Sequence, residues 1–417
     1  MSSRCRLLIH MLLSVPVLVL WLSASSPGAQ TGEPPRAPRV FLLDAEHLQA
    51  TRQRIHDGDK GLAPAMARLE QEAKEAMTAG PFSVVNKDAM PPSGDKHDYM
   101  SQAPYWWPNP DTPNGLPYIR RDGERNPEIY RISDHQNMDR VTEAVETLAL
   151  AYWFYGDEAY AAKATQLLRS WFLDPATRMN PHLEYGQAVP GLNTGRGIGL
   201  IETAGLTGLV DAVGLLAGSR AWTPDDQRGL QAWFGQFLQW MQESRNGRDE
   251  AAARNNHGTY YDLQVASFAL FVGKTDLAVG VLKAAGPARI ARQVEPDGRQ
   301  PLELERTRAW GYSLMNLRGL MSLARIGKNV GVDLWVYQTP DGRSIRKALD
   351  YLVPFAFGES KWPHPQLGEW SPQDLFTLVR EAALQYPDGP YRKIMLKLPT
   401  LDRADRSRLL RPNVAGQ

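Results

Sequence analysis

Residues 138–173 read MDRVTEAVETLALAYWFYGDEAYAAKATQLLRSWFL, and this stretch decides the fold. Val141, Val145, Leu148, Ala149 and Trp153 recur at intervals of three and four, which lines one face of an α-helix. Gly156-Asp157 then supplies a breaker followed by a side chain suited to capping the next helix. Two helices joined by so short a turn form a hairpin.

The same period recurs on both sides. Helices are predicted near 44–57, 62–78, 138–155, 158–173, 198–217, 224–244, 258–272, 275–287, 303–326, 343–357 and 373–385. Thr223-Pro224-Asp225, Gly273-Lys274-Thr275 and Pro340-Asp341-Gly342 mark further boundaries. Paired helices with no internal sequence repeat predict an all-α fold, an incomplete (α/α) toroid of helical hairpins rather than a regular repeat array. One such domain is expected over 30–400. Between Asn86 and Asp134 helical periodicity gives way to Pro, Gly, Asp and aromatics, and an irregular segment that long is expected to be a lid or binding arm. Residues 401–417, with Arg403, Arg406, Arg408 and Arg411, read as a solvated charged tail.

Arg4 and Arg6 precede an apolar run from Leu7 to Leu22, and small residues follow to Ala29. This is the pattern of a signal peptide, residues 1–29, so a periplasmic or secreted protein with no stable membrane insertion is expected. His10, Ser14 and Pro16 interrupt the run, which falls short of the roughly 18 to 20 clean residues of a membrane span. Cys5, the only cysteine, lies inside the leader, so the processed chain would hold no disulfide, thiolate metal site or cysteine nucleophile. Losing the two leader arginines takes the formal net charge from +1 to about −1. No overall basic field exists for nucleic acid, and an acidic ligand must be met by locally placed cations.

Four groups of residues can carry chemistry. Asn255-Asn256-His257-Gly258 stands before the apolar run Tyr261, Val265, Phe268 and Leu270, which puts it at a helix N-terminus with an Asn as cap. Orphan N–H groups and the positive dipole end suit a carboxylate there. Arg308 and Tyr312, four apart, share a face if the chain is helical, and an arginine beside a phenol favours the phenolate. Arg306 lies close by. His97-Asp98-Tyr99 and Pro104-Tyr105-Trp106-Trp107-Pro108 place Tyr99, Tyr105, Trp106 and Trp107 in the irregular segment, where aromatics can stack on sugar faces. His182, Gln187 and Arg196 precede the helix predicted from 198, and with Asn255 and Tyr261 they complete the substrate-contact candidates. The glycines at 195, 197 and 199 follow no strand, so a tight loop or close backbone approach fits better than a nucleotide fingerprint.

Taken together, from Asp98-Tyr99-Met100-Ser101-Gln102-Ala103-Pro104-Tyr105-Trp106-Trp107-Pro108 to Tyr312, these segments resemble the alginate lyase superfamily of helical-toroid polysaccharide lyases. The resemblance implies a lyase that cuts a uronic-acid-containing polysaccharide of alginate or glucuronan type by β-elimination, leaving unsaturated uronide ends. Asn256 and His257 match the family's Asn-His, and Tyr312 matches its catalytic tyrosine. The arginine that the family carries seven positions before that tyrosine is Glu305 here, with Arg306 and Arg308 beside it as the two alternatives. Removing H5 next to a carboxylate builds charge on an anion, so Asn256, His257 and one arginine would neutralise it. Tyr312 can serve as base and acid where H5 and O4 share a face, as in mannuronate and glucuronate. On guluronate His257 would be base and Tyr312 acid. No cofactor or metal is called for.

Two other classes remain open to the sequence. A toroidal glycoside hydrolase would use two carboxylates from Asp134, Glu202, Glu303 and Glu305. A non-catalytic periplasmic polysaccharide-binding protein would use the aromatic loop alone.

Overall fold

The computed structural model describes residues 37–411, and the leader expected at 1–29 lies outside them. The helices in chain order are α1 (Ala45–His56), α2 (Ala63–Ala76), α3 (Asp134–Tyr155), α4 (Glu158–Leu168), α5 (Leu206–Leu215), α6 (Pro224–Glu243), α7 (Arg245–Ala251) and α8 (Asn256–Phe271). They continue with α9 (Thr275–Ala285), α10 (Ala291–Gln293), α11 (Pro301–Leu304), α12 (Ala309–Asn329), α13 (Ile345–Ala356), α14 (Phe376–Gln385), α15 (Tyr391–Met395) and α16 (Ser407–Leu410).

The quoted hairpin is α3 and α4. Gly156 takes φ +71°, a left-handed conformation that costs glycine little, and its N–H closes α3 on Tyr152. Asp157 then caps α4 through the Ala159 N–H. Farther on, Thr223 and Asp226 form a reciprocal capping box around Pro224 and start α6.

Helices α3, α5, α8 and α12 pack in succession as an inner row, and α2, α4, α6, α9 and α13 pack against them from outside. Composition explains who stands where. In α8 all residues but His257 and Tyr260 are buried, and its apolar residues run round the whole circumference. Such a helix can exist only with partners on every side. This arrangement is the helical toroid expected from the sequence.

Three local expectations are corrected. The segment 86–134 is not structureless: β1 (Met100–Gln102) pairs in parallel with β4 (Tyr185–Ala188), and β2 (Trp106–Trp107) pairs antiparallel with β3 (Ile119–Arg120). Its first part is pinned by Lys87 and Asp134, both fully buried and 3.0 Å apart, with Asp134 also accepting from the Met100 N–H. The helix expected over 303–326 is two helices, because Arg306 and Thr307 both bind Asp122 and draw the chain out of register between α11 and α12. Finally, 401–411 is not a solvated tail. Leu409 is fully buried, α16 packs on α1 and α2, and Arg406 reaches Glu72 and Thr147.

Candidate active site

The N-terminal ends of α8 and α12 form one wall of a cleft of about 630 Å³, and segments 101–136 and 187–202 form the other. On the helical wall Asn255, Asn256 and His257 meet Arg306, Arg308 and Tyr312. On the loop wall stand Tyr105, Trp106, Gln187 and Arg196, which the sequence picked out, and Arg120, Arg125 and His135, which it did not. Five arginines therefore line the cleft, and among the described lining residues Glu202 is the one carboxylate. An anionic ligand is favoured by that imbalance.

Asn255 holds the cap position of α8, but its side chain makes no capping bond. The N-terminus is covered instead by Glu303, whose carboxylate accepts from the Asn256 backbone N–H at 2.6 Å and from Asn256 Nδ2 at 2.7 Å. The expected anion site at the helix end is thus filled by the protein's own carboxylate. Asn256 Oδ1 is buried without a partner. Next to it His257 Nδ1 lies 2.7 Å from Glu250 Oε1, a carboxylate 1% exposed, so Nδ1–H donates and Nε2 is left to accept. Glu250 comes from the short helix α7, whose packing on α8 makes the pair.

Arg308 does not share a helical face with Tyr312. It precedes the first turn of α12, with φ −115° and ψ 54°, and its backbone bridges to Gln366. The arginine against the phenol is Arg306, whose guanidinium carbon lies 3.7 Å from the Tyr312 ring centroid while Nε and Nη2 hold Asp122. Arg308 still lines the cleft and is exposed. Nor is the phenolate favoured at rest. Burial, then the hydrogen bond from Tyr312 Oη to Tyr105 Oη at 2.9 Å, push the Tyr312 hydroxyl well above its ordinary range, and Arg306 opposes them only in part.

On the loop wall Gln187 has φ +50°, the one positive φ outside glycine among the described residues. Its strained backbone is held by Ser101 Oγ, which accepts from its N–H, and by Arg196, which donates to its backbone oxygen and to Oε1. Ser101 in turn donates to Glu202, as does Tyr99. The glycines after 194 serve close packing. A Cβ on Gly197 would come within 2.7 Å of Asn246 O, and one on Gly199 within 2.7 Å of the Gly186 backbone.

Several candidates fall outside the cleft lining. Tyr99 is fully buried, and Tyr261, bonded to Met241 O, is 8% exposed, so neither can meet a polymer. His182 is engaged by Asp98 at 2.9 Å, and Trp107 donates to Glu124 O. Of the hydrolase carboxylates, Asp134 is buried on Lys87, Glu303 is bound to Asn256 and Glu305 does not line the cleft. A pair flanking one bond is not there among the described residues.

Comparison with known proteins identifies the family. The alginate lyase family model matches residues 83–362, more than half of the chain. A crystal structure of an alginate lyase from Bacteroides ovatus is 40% identical, covers 89% of this chain and 99% of its own, and superposes with a TM-score of 0.86. The crystal structure of alginate lyase A1-III from Sphingomonas species A1 is 15% identical, covers 92% of this chain and 100% of its own, and has a TM-score of 0.56. A tetrasaccharide complex of an A1-III variant gives 15% identity, 91% and 99% coverage and a TM-score of 0.57. At that identity both speak for the fold. No curated protein matches. The chain belongs to the alginate lyase family and is a polysaccharide lyase.

Proposed function

We propose that the substrate is alginate or a closely related uronate polymer and that the reacting sugar lies between His257 and Tyr312. The observation that carries this reading is the presence, on one wall of a cation-lined cleft, of an imidazole with Nε2 open and a phenol kept protonated. Arg306, beside these two groups, neutralises the carboxylate on C5. A base removes H5, the electron pair forms the C4=C5 double bond, the C4–O4 bond breaks, and an acid delivers a proton to the departing O4.

At rest these groups suit an elimination with H5 and O4 on opposite faces, as in guluronate. His257 takes H5, Glu250 steadies the imidazolium, and Tyr312 protonates O4. On mannuronate, where both lie on one face, Tyr312 must first lose its own proton, and Arg306 over its ring lowers that cost.

The test is ultraviolet absorbance of the conjugated product from purified protein on polymannuronate, polyguluronate and glucuronan, followed against pH. Turnover of polyguluronate should not decline through Tyr312 ionisation up to at least about pH 10, the ordinary tyrosine range. Turnover of polymannuronate should rise with pH over the same interval. No absorbance on any uronate polymer would sink the reading.

The part of 86–134 between Tyr105 and Glu124, tied to the helical wall through Asp122 and Tyr105, acts as a lid in this reading. Export is part of it too, supported by Arg4, Arg6 and the apolar run to Leu22. N-terminal sequencing of protein recovered from the producing cells checks the cleavage near Ala29.

A further inference from the structure

Just inside the helix ends that carry His257 and Tyr312, α8 and α12 are joined by polar side chains. Thr259, Gln293, Gln300 and Asn316 are all buried, none more than 5% exposed. Asn316 Nδ2 donates to Gln293 Oε1 and to Gln300 Oε1, each at 2.9 Å. The Thr259 hydroxyl lies 2.8 Å from both Asn316 Oδ1 and Gln293 Oε1, and its single proton can go to either.

This network ends on backbone at both sides of the chemistry. Gln293 Nε2 donates to the oxygen of Asn255, the cap of α8, and Gln300 Nε2 donates to the oxygen of Ser313, each at 3.1 Å. Asn255 stands two residues before His257, and Ser313 follows Tyr312 directly. The two helices also approach closely here. A Cβ on Gly319 would come within 2.9 Å of the Thr259 methyl, and Tyr260 Oη donates to Met315 O at 3.2 Å.

Apolar burial has no direction, so two greasy helix faces can slide a little at small cost. Hydrogen bonds do have direction. A slide of α8 along α12 would leave part of the network unpaired away from water, which penalises every register but one.

We infer that Thr259 and Asn316, with Gln293 and Gln300, are positioning residues that set the separation of His257 and Tyr312 by locking α8 against α12. The inference rests on the proposed elimination between those two groups. None of the four lines the cleft, so they act through the helices and not on the polymer. A misplacement of about 1 Å far from the chemistry can cost about 10²-fold in rate, so the loss should fall on kcat.

Thr259→Val and Thr259→Ser test this by steady-state kinetics on the wild type's best uronate polymer. Val keeps the shape and removes the hydroxyl, whereas Ser keeps the hydroxyl and removes the methyl. The Val variant should lower kcat by about 10- to 100-fold with KM within about threefold, and the Ser variant should stay within about threefold in both. A smaller loss of kcat in Val, or a loss carried by KM, would overturn the inference. So would a Ser variant as impaired as Val, because the effect would then belong to the methyl packed on Gly319.

Combination with Tyr312→Phe separates positioning from general loosening. Once the phenolic hydroxyl is gone its distance no longer matters, so adding Thr259→Val should change the residual turnover by less than about twofold. Full additivity of the two losses would place the effect elsewhere and overturn the inference. If Tyr312→Phe itself keeps wild-type turnover, the elimination reading fails and this inference falls with it. An inactive Tyr312→Phe beside a fully active Thr259→Val defeats the inference alone. Should the Val protein not fold by circular dichroism, Thr259→Ala set against Thr259→Ser makes the same comparison, since these two also differ by one hydroxyl. Equal kcat values in that pair would count against the network.

Discussion

The two walls of the cleft are built on different principles. The helical wall presents its groups from the first turns of α8 and α12, where regular backbone fixes position and buried carboxylates, Glu250 and Glu303, fix orientation. The loop wall has two-residue strands, a strained Gln187 and a network running from Gln187 through Ser101 to Glu202. In the proposed reading the groups that move protons stand on the first, and groups suited to holding charge and sugar faces stand on the second. Asp122 of the loop wall, gripping Arg306 of the helical wall, joins them.

If that division is right, the largest effect comes from the helical wall. Tyr312→Phe removes one hydroxyl and should lower kcat by about 10² to 10⁴-fold with circular dichroism unchanged. Retention of a tenth of wild-type turnover would break the comparison at its strongest point. The loop wall should answer in stability instead. Lys87→Met leaves Asp134 buried without its partner, which typically costs about 3–5 kcal/mol, so the urea midpoint should fall sharply. A midpoint within error of wild type would mean that this pair does not anchor the segment.

A smaller loss distinguishes orientation from proton transfer. Glu250→Gln keeps the shape beside His257 but not the charge, and kcat should drop by about 10- to 100-fold with KM little changed. Equal KM and kcat changes would point to substrate contact by Glu250. The smallest effect concerns the link between walls. Burial alone would raise Asp122, yet Arg306 and Thr307 hold it well below the usual carboxylate range. Its contribution is therefore complete above about pH 4 and is lost as pH falls through the folded-state value. Wild type should melt above Asp122→Asn at pH 7, and the gap should narrow in acid. A gap that widens in acid would refute the sign.

What the sequence revealed follows the same division. Periodicity and local stop signals such as Gly156-Asp157 and Thr223-Pro224-Asp225 are properties of neighbouring residues, and the helices they announced are present. Asn256, His257 and Tyr312, which the structure brings to one cleft, stand out in the sequence because each lies beside a helix start. The arginine was misread because the break before α12 is imposed by Asp122, 184 residues away from Arg306. Glu250 sits seven residues before His257 on a separate helix, a spacing no local rule pairs. Arg120 and Arg125 gave a faint signal, a basic cluster within an irregular segment, but their direction depends on pairing of β2 with β3. Tyr99 and Tyr261 carried the right side chains for sugar contact and were claimed by the core.

The occupation of the α8 N-terminus by Glu303 has an environmental consequence. The helix end is already neutralised, so the positive character of the cleft resides in side chains, and Arg120, Arg125 and Arg308 among them are exposed. Exposed charges lose most of their reach in salt, since the screening length shrinks from about 10 Å at 0.1 M to about 3 Å at 1 M. Brine would thus weaken the long-range attraction of an anionic polymer while leaving the covered Arg306–Asp122 contact largely intact. Encounter of the polymer with the cleft would then respond to ionic strength more than the geometry of the helical wall does.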